Sequence, residues 1–331
     1  MLISQIRDDS GELAVVVRNG SEASILKGVS SSYDLVKEAI GREQSLTACI
    51  RSHELGPAVD LEKLAEENRL LLPIHHPDAA HMHLTGTGLT HLGSASTRDA
   101  MHNKAKEDPD TLTDSMKMFH MGLEAGRPAP GNVGVQPEWF YKGNGSAAVA
   151  PGDDLISPGF SEDGGEEPEI AGIYVIADDG TPYRVGFALA NEFSDHVMER
   201  QNYLYLAHSK LRPASFGPEL LVGPLPETVQ GTSRILRNGS VLWEKPFLSG
   251  EANMSHTLAN LEHHHFKYEL FCQPGDVHVH MFGTATLSFA DGVSCKEGDE
   301  VEISAPGFGV PLKNRLAFRA DENAATLVKV L

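Results

Sequence analysis

Hydrophobic and polar positions alternate over short stretches at the start of the chain. Leu2 to Ile6, Leu13 to Val17 and Ser24 to Leu26 read as strands, separated by the turn-prone Asp9-Ser10-Gly11 and Asn19-Gly20. The period then lengthens. Tyr33, Leu35, Val36 and Ile40 fall at helical spacing behind Ser31 or Ser32, either of which suits a cap, and Leu61, Leu64 and Ala65 do so behind Asp60. Leu71 to Pro73 marks a boundary, so residues 1–71 are expected to form a small N-terminal α+β domain and residues 72–331 the main domain. Within the latter, Arg98 to Gly134 is polar and then rich in Pro and Gly, with one helix expected around Leu112 to Leu123. This segment reads as an insertion or lid. Beyond Trp139, alternation resumes with turn signals such as Pro151-Gly152-Asp153-Asp154, Pro274-Gly275-Asp276 and Glu297-Gly298-Asp299. The class is α+β with a sheet-rich main domain.

One hairpin carries chemistry. Two apolar runs, Ile170 to Ala177 and Val185 to Ala190, flank Asp179-Gly180, a strong two-residue turn signal. With those two residues as the loop, Glu192 falls opposite Glu167, and Glu169 shares the same face because it lies two positions on. Three carboxylates then converge, with neighbouring Cβ atoms about 5 to 7 Å apart. An isolated Glu-x-Glu is ordinarily the solvent face of an antiparallel sheet. Three acids facing one another repel unless a cation neutralises them, and all-oxygen ligands select Mg²⁺, Mn²⁺ or Ca²⁺ over zinc. This register depends on loop length, since a slip of one residue turns Glu192 to the other face.

Charge narrows the partners. The 331 residues include 27 Lys plus Arg against 46 Asp plus Glu, a net charge of −19. Such a chain repels phosphate backbones and anionic lipid, which argues against nucleic acid and membrane surfaces. Cys49, Cys272 and Cys295 lack metal-type spacing and are expected to be buried thiols in a cytoplasmic protein. The 16 histidines, among them His75-His76, His81-x-His83, His263-His264-His265 and His278-x-His280, have no zinc-protease or zinc-finger spacing and read as surface or core residues. Lys210 lies near enough in sequence to Glu192 to be considered as a proton acceptor, although a lysine is far more often a solvated charge.

Taken together these residues resemble the fumarylacetoacetate hydrolase superfamily. The matching positions are Glu167-Pro168-Glu169, Asn191-Glu192-Phe193-Ser194, Lys210, Gly217-Pro218, Pro274-Gly275-Asp276, Phe282-Gly283-Thr284-Ala285, Gly298-Asp299, Gly307-Phe308-Gly309 and Asn314, from about Pro73 onward. The resemblance implies a β-roll catalytic domain, often dimeric, and so a homodimer here. It implies Mg²⁺, or Mn²⁺ or Ca²⁺, on Glu167, Glu169 and Glu192, with a 2-oxo acid chelated to the ion. Lys210 would be the active-site lysine, Thr284 a contact to the substrate carboxylate and Lys142 a pocket residue, with Leu89, Thr90 and Ser94 lining the substrate side. The chain departs from the family in two ways: Glu192 stands where Asp is usual, and Ser94 and Thr97 stand where hydrolases carry a water-activating His-x-x-Glu dyad.

Without that dyad, elimination is favoured over C–C hydrolysis. The resemblance to the sugar-acid branch then implies a Mg²⁺-dependent dehydratase that turns a 2-keto-3-deoxy-pentonate into 2,5-dioxopentanoate, with Lys210 as the C3 base through a lowered pKa. Two alternatives stay open at this point. One is a 2,4-dioxo-acid hydrolase giving pyruvate, with His91 or His102 replacing the dyad. The other is a non-catalytic sugar-acid-binding or regulatory protein.

Overall fold

The computed structural model describes residues 1–93, 113–320 and 325–331. Four strands open the chain: β1 (Leu2–Arg7), β2 (Leu13–Asn19), β3 (Glu22–Leu26) and β4 (Leu55–Ala58). They are followed by β5 (Met82–Gly88), β6 (Glu138–Asn144), the short β7 (Ala148–Val149) and β8 (Asp154–Ser157). The expected hairpin is β9 (Pro168–Ile176) and β10 (Pro182–Asn191), then come β11 (Ala214–Leu221), β12 (Val229–Arg237) and β13 (Ser240–Ser249). The last strands are β14 (Val277–Met281), β15 (Glu300–Ser304) and β16 (Leu312–Phe318). The large sheet runs β4-β3-β2-β1-β11-β10-β9-β14-β5-β6 with β7 beside β11, and a second sheet runs β13-β12-β15-β16-β8.

The N-terminal strands and caps form where the hydrophobic pattern puts them. Ser31 Oγ accepts the Asp34 N–H to start helix Ser32–Gly41, and the Asp60 carboxylate accepts the Lys63 N–H to start Leu61–Glu66. A third helix, Leu46–Ser52, capped by Ser45, is too short to show a period and was not expected. This segment is not set apart from the rest: β1 pairs with β11, Leu2 opposite Leu221 and Ser4 opposite Glu219, so β1 to β4 extend the main sheet. Strands on both sides of residue 71 thus share one sheet.

All nine residues of β9 are buried because both faces of the sheet are covered there. Ala171, Ile173 and Val175 pack on one side with the N-terminal helices, and Ile170, Phe187 and Leu189 pack on the other against the second sheet.

The hairpin loop differs from its expected form. It has three residues, Asp178 to Gly180, closed by Ala177 N–H donating to Thr181 O at 2.9 Å, with Gly180 in the left-handed region at φ +84°. That one-residue shift is undone further along. The ladder pairs Arg184 with Tyr174 and then Gly186 with Ile173, leaving Val185 as a bulge. Beyond it Asn191 faces Pro168, and Glu192 N–H donates to Glu167 O at 3.0 Å. The register at the acids is thus the expected one, reached through a longer loop and a compensating bulge.

Cys49 and Cys295 are buried free thiols. Cys272 is only partly covered, contrary to expectation, because it follows the short turn Glu269–Phe271 at the sheet's rim. Among the described residues no helix is long and apolar enough to cross a membrane.

Candidate active site

Glu167 immediately precedes β9, Glu169 is its second residue and Glu192 follows β10. All three are buried, and one oxygen from each lies within 4.8 Å of the others. Glu169 Oε2 accepts the Gly283 N–H at 2.7 Å, just beyond β14, while its Oε1 meets no hydrogen-bond donor. β5 closes over the acids at Gly86, where a Cβ would come within 2.5 Å of the Phe140 ring and 3.2 Å of Glu192 Oε2. Glycine is what lets the strand approach. Burial, with the charges of Glu192 and Glu167, pushes Glu169 well above the usual carboxylate range. Burial also raises Glu192, with the charge of Glu167 adding to it and the Lys210 and Lys142 ammoniums opposing it.

Lys210, the last residue of helix Leu206–Lys210, is also buried. Its Nζ donates to Glu167 Oε1 at 2.6 Å and lies 3.2 Å from Glu192 Oε1, 3.9 Å from Glu199 Oε2 and 5.0 Å above the Phe140 ring. Burial opposes its charge, but Glu167, Glu192 and Glu199 outweigh burial and raise its pKa above that of an ordinary lysine. The expected lowering is therefore corrected for the metal-free chain: three carboxylates surround the ammonium and keep it protonated.

His196 is the residue the sequence reading missed. Asp195 caps helix His196–Gln201 by accepting the Met198 N–H, which turns the first helical side chain back toward the start of β9. His196 Nε2 meets Glu167 Oε1 at 3.0 Å, its Nδ1 faces Asp163 Oδ2 at 3.4 Å, and its ring stacks on Phe289. Burial works against the imidazolium, yet Asp163 and Glu167 push the pKa up to about 10. Burial likewise works against the Glu167 carboxylate, but Lys210 and His196 together hold it far below its usual range. No spacing rule ties a histidine four residues past Glu192 to Glu167. The one available signal was the Asp195 cap.

Lys142, expected in the pocket, lies wholly inside the protein on β6. Its Nζ donates to Phe193 O at 2.8 Å and Lys210 O at 2.9 Å and lies 3.6 Å from Glu192 Oε1. Burial lowers its pKa to about 8, against the pull of Glu192. It fastens the backbone that carries Glu192 and Lys210 instead of facing open space. Leu89 and Thr90, at the end of β5, lie beside Phe282, Gly283 and Thr284, at the end of its parallel neighbour β14. Thr90 is fully buried, its hydroxyl donating to Phe282 O and meeting His91 Nδ1 at 3.1 Å, whereas Thr284 is partly exposed. Leu89 and Thr284 are thus at the same end of the sheet as Glu169, and the Thr90 hydroxyl is committed to the fold. His91 Nε2 meets Ser249 Oγ at 3.0 Å, and burial pushes its pKa down to about 4. Ser94, Thr97 and His102 lie outside the described residues.

No protein-family model matches the chain. A Haloferax volcanii protein described as a probable 2-keto-3-deoxyxylonate dehydratase is 29% identical over 182 residues, 53% of this chain and 58% of that protein, so the match spans little more than half of the relative. Among solved structures, 2-keto-3-deoxy-D-arabinonate dehydratase complexed with magnesium and 2,5-dioxopentanoate superposes with a TM-score of 0.70 at 19% identity, over 97% of this chain and 100% of that one. Its apo form gives the same TM-score over 96% and 99%. A 5-carboxymethyl-2-hydroxymuconate delta-isomerase from Mycobacterium smegmatis follows at 0.56 and 17%, over 96% and 100%. The chain shares the fold of these solved structures.

Within that fold, the residues fit a divalent cation. Three buried carboxylates converge, and Glu169 Oε1 is left unmatched. The donor set is all oxygen, which suits a hard ion such as Mg²⁺. Glu192 in place of the usual Asp does not break the cluster, because its longer side chain still brings an oxygen into the group.

Proposed function

We propose that the chain is a Mg²⁺-dependent dehydratase of 2-keto-3-deoxy-pentonates, releasing water to give 2,5-dioxopentanoate. The observation that carries this reading is the burial of Glu167, Glu169 and Glu192 together with Lys210 at the end of one hairpin. Glu167, Glu169 and Glu192 would hold the ion, with Mn²⁺ or Ca²⁺ able to use the same oxygens. Bound there, the ion supplies Lewis-acid stabilisation of charge on the substrate's C2 oxygen.

The protein's own residues supply the rest. Lys210 would take the C3 proton through its Nζ. It sheds its own proton more readily once Glu167 and Glu192 are engaged elsewhere, since two of its three supporting carboxylates are then neutralised. His196 and Lys142 act as positioning residues, holding Glu167 from one side and the Glu192 and Lys210 backbone from the other. Leu89 and Thr284 would border the substrate side.

The relative and structural neighbour named as 2-keto-3-deoxy-sugar-acid dehydratases, the latter complexed with magnesium and 2,5-dioxopentanoate, support this reading. The hydrolase alternative loses one of its two candidate bases, because His91 is buried, hydrogen-bonded to Ser249 and made a weak base by burial, its pKa pushed down to about 4. Free thiols at Cys49, Cys272 and Cys295 support a reducing, cytoplasmic setting. The family resemblance adds the expectation of a homodimer.

Product analysis tests the proposal. Purified protein with Mg²⁺ is expected to convert a D- or L-2-keto-3-deoxy-pentonate to 2,5-dioxopentanoate and to lose that activity in EDTA. Pyruvate released from 2,4-dioxo acids, or tight sugar-acid binding with no product, would overturn it.

A further inference from the structure

A second cluster of metal-ligating side chains lies on the same sheet, away from the acids. β5 and β14 are parallel neighbours with His83 opposite His278, and Asp276, two residues before His278, shares its face. His83, Asp276 and His278 each offer one donor atom, all within 4.8 Å of one another. His83 Nε2 already stands 3.2 Å from Asp276 Oδ2, close to the spacing of about 3.4 Å between ligands of a tetrahedral zinc ion. His278 is fully buried, its Nδ1 meets His265 Nε2 at 3.0 Å, and its Nε2 has no hydrogen-bond partner. Along β14, His278 is five residues from Gly283, the contact of Glu169. At roughly 3.3 Å per residue that separates the two sites by about 16 Å.

From this arrangement we infer that His83, Asp276 and His278 form a site for a borderline divalent ion such as Zn²⁺, independent of the carboxylate site and of the function proposed above. Two imidazoles and one carboxylate are a donor set that prefers such ions to Mg²⁺. The surrounding groups match what ligands of this kind need. Tyr141 OH lies 3.2 Å from His83 Nδ1, and His81 Nδ1 holds Asp276 Oδ1 at 2.7 Å, leaving Oδ2 for the ion. His81, with about half of its side chain exposed, stands at the entrance.

Occupation has a consequence for a tryptophan. The Trp139 indole N–H donates to His265 Nδ1 at 3.2 Å, which fixes the hydrogen of a neutral His265 on Nε2, where it faces His278 Nδ1. An ion on His278 Nε2 moves the His278 hydrogen to Nδ1. His265 then accepts at Nε2, carries its own hydrogen on Nδ1 and releases Trp139.

The test is a titration of the full chain, stripped with a chelator and held in excess Mg²⁺ to saturate the carboxylate site, with Zn²⁺ or Co²⁺. One equivalent is expected to bind, with visible Co²⁺ absorption of a nitrogen-ligated ion. Trp139 fluorescence should change in a Trp243→Phe background, and uptake should persist in Glu169→Gln/Glu192→Gln. His278→Gln and His83→Asn are each expected to weaken binding at least tenfold. Because His83 is partly exposed, that variant carries the test if His278→Gln fails to fold. Absence of uptake, or uptake unchanged by His83→Asn, as would follow from binding at Glu38, Cys49 and His53 instead, would overturn the inference.

Discussion

At the scale of single residues, Glu169 is where binding and stability pull against each other. It is buried beside two other acids with one oxygen unmatched, an arrangement that costs the empty protein and benefits only an occupied one. The sign of the pH effect follows. Glu169 and Glu192 have folded pKa values raised above the unfolded value, so the native state binds more protons than the unfolded chain once pH passes the ordinary carboxylate range. Their contribution therefore lowers the stability of the metal-free protein as pH rises, by at most about 1.4 kcal/mol per pH unit per group. Glu169→Gln removes one such acid. Its metal-free melting temperature is expected to fall less than that of the wild type between about pH 5 and about pH 8, while Mg²⁺ stabilises only the wild type. Parallel pH curves, or equal stabilisation by Mg²⁺, would refute this. Lys210 shows why residue identity was easier to read than residue state. Its place beside the acids was expected, but its pKa depends on Glu199 as well, and nothing in the spacing places Glu199 there.

The hairpin β9–β10 carries the argument at the scale of elements. The apolar runs made both strands legible, and the register at the acids came out as expected, yet the two steps leading to it did not. Gly180 allows a three-residue loop as readily as a two-residue one, and the bulge at Val185 has no marker in a run of small and branched apolar residues. Where the two strands meet the core on both faces, burial specifies the pairing. At the exposed turn little does. A glycine inserted after Gly180 is accordingly expected to be absorbed in the loop and leave Mg²⁺ affinity within about threefold. The same insertion between Leu189 and Ala190 should turn Glu192 to the opposite face and cut affinity by more than about a hundredfold, since a buried charge would then be lost from the site. Isothermal titration of both variants measures this, and equal affinities would contradict the register.

On the scale of the whole molecule, the pattern of strands and helices was legible but their partners were less so. Nothing in Leu2 to Ile6 reveals that β1 would extend the main sheet beside β11, more than two hundred residues away, because strand pairing over such a distance leaves no local trace. The same holds for His196 against Asp163 and for the histidines of β5 and β14, whose meaning appears only once separate strands are neighbours. The net charge of −19 turns out to be mostly surface, with the acids of the carboxylate site a small buried subset. The claim that these acids hold a cation is the centre of the account. Anomalous diffraction from crystals soaked in Mn²⁺ examines it most directly: a peak bonded to Glu167, Glu169 and Glu192, with Lys210 displaced from Glu167, is the predicted result. Density showing Lys210 still on Glu167 and no peak among the three acids would contradict it.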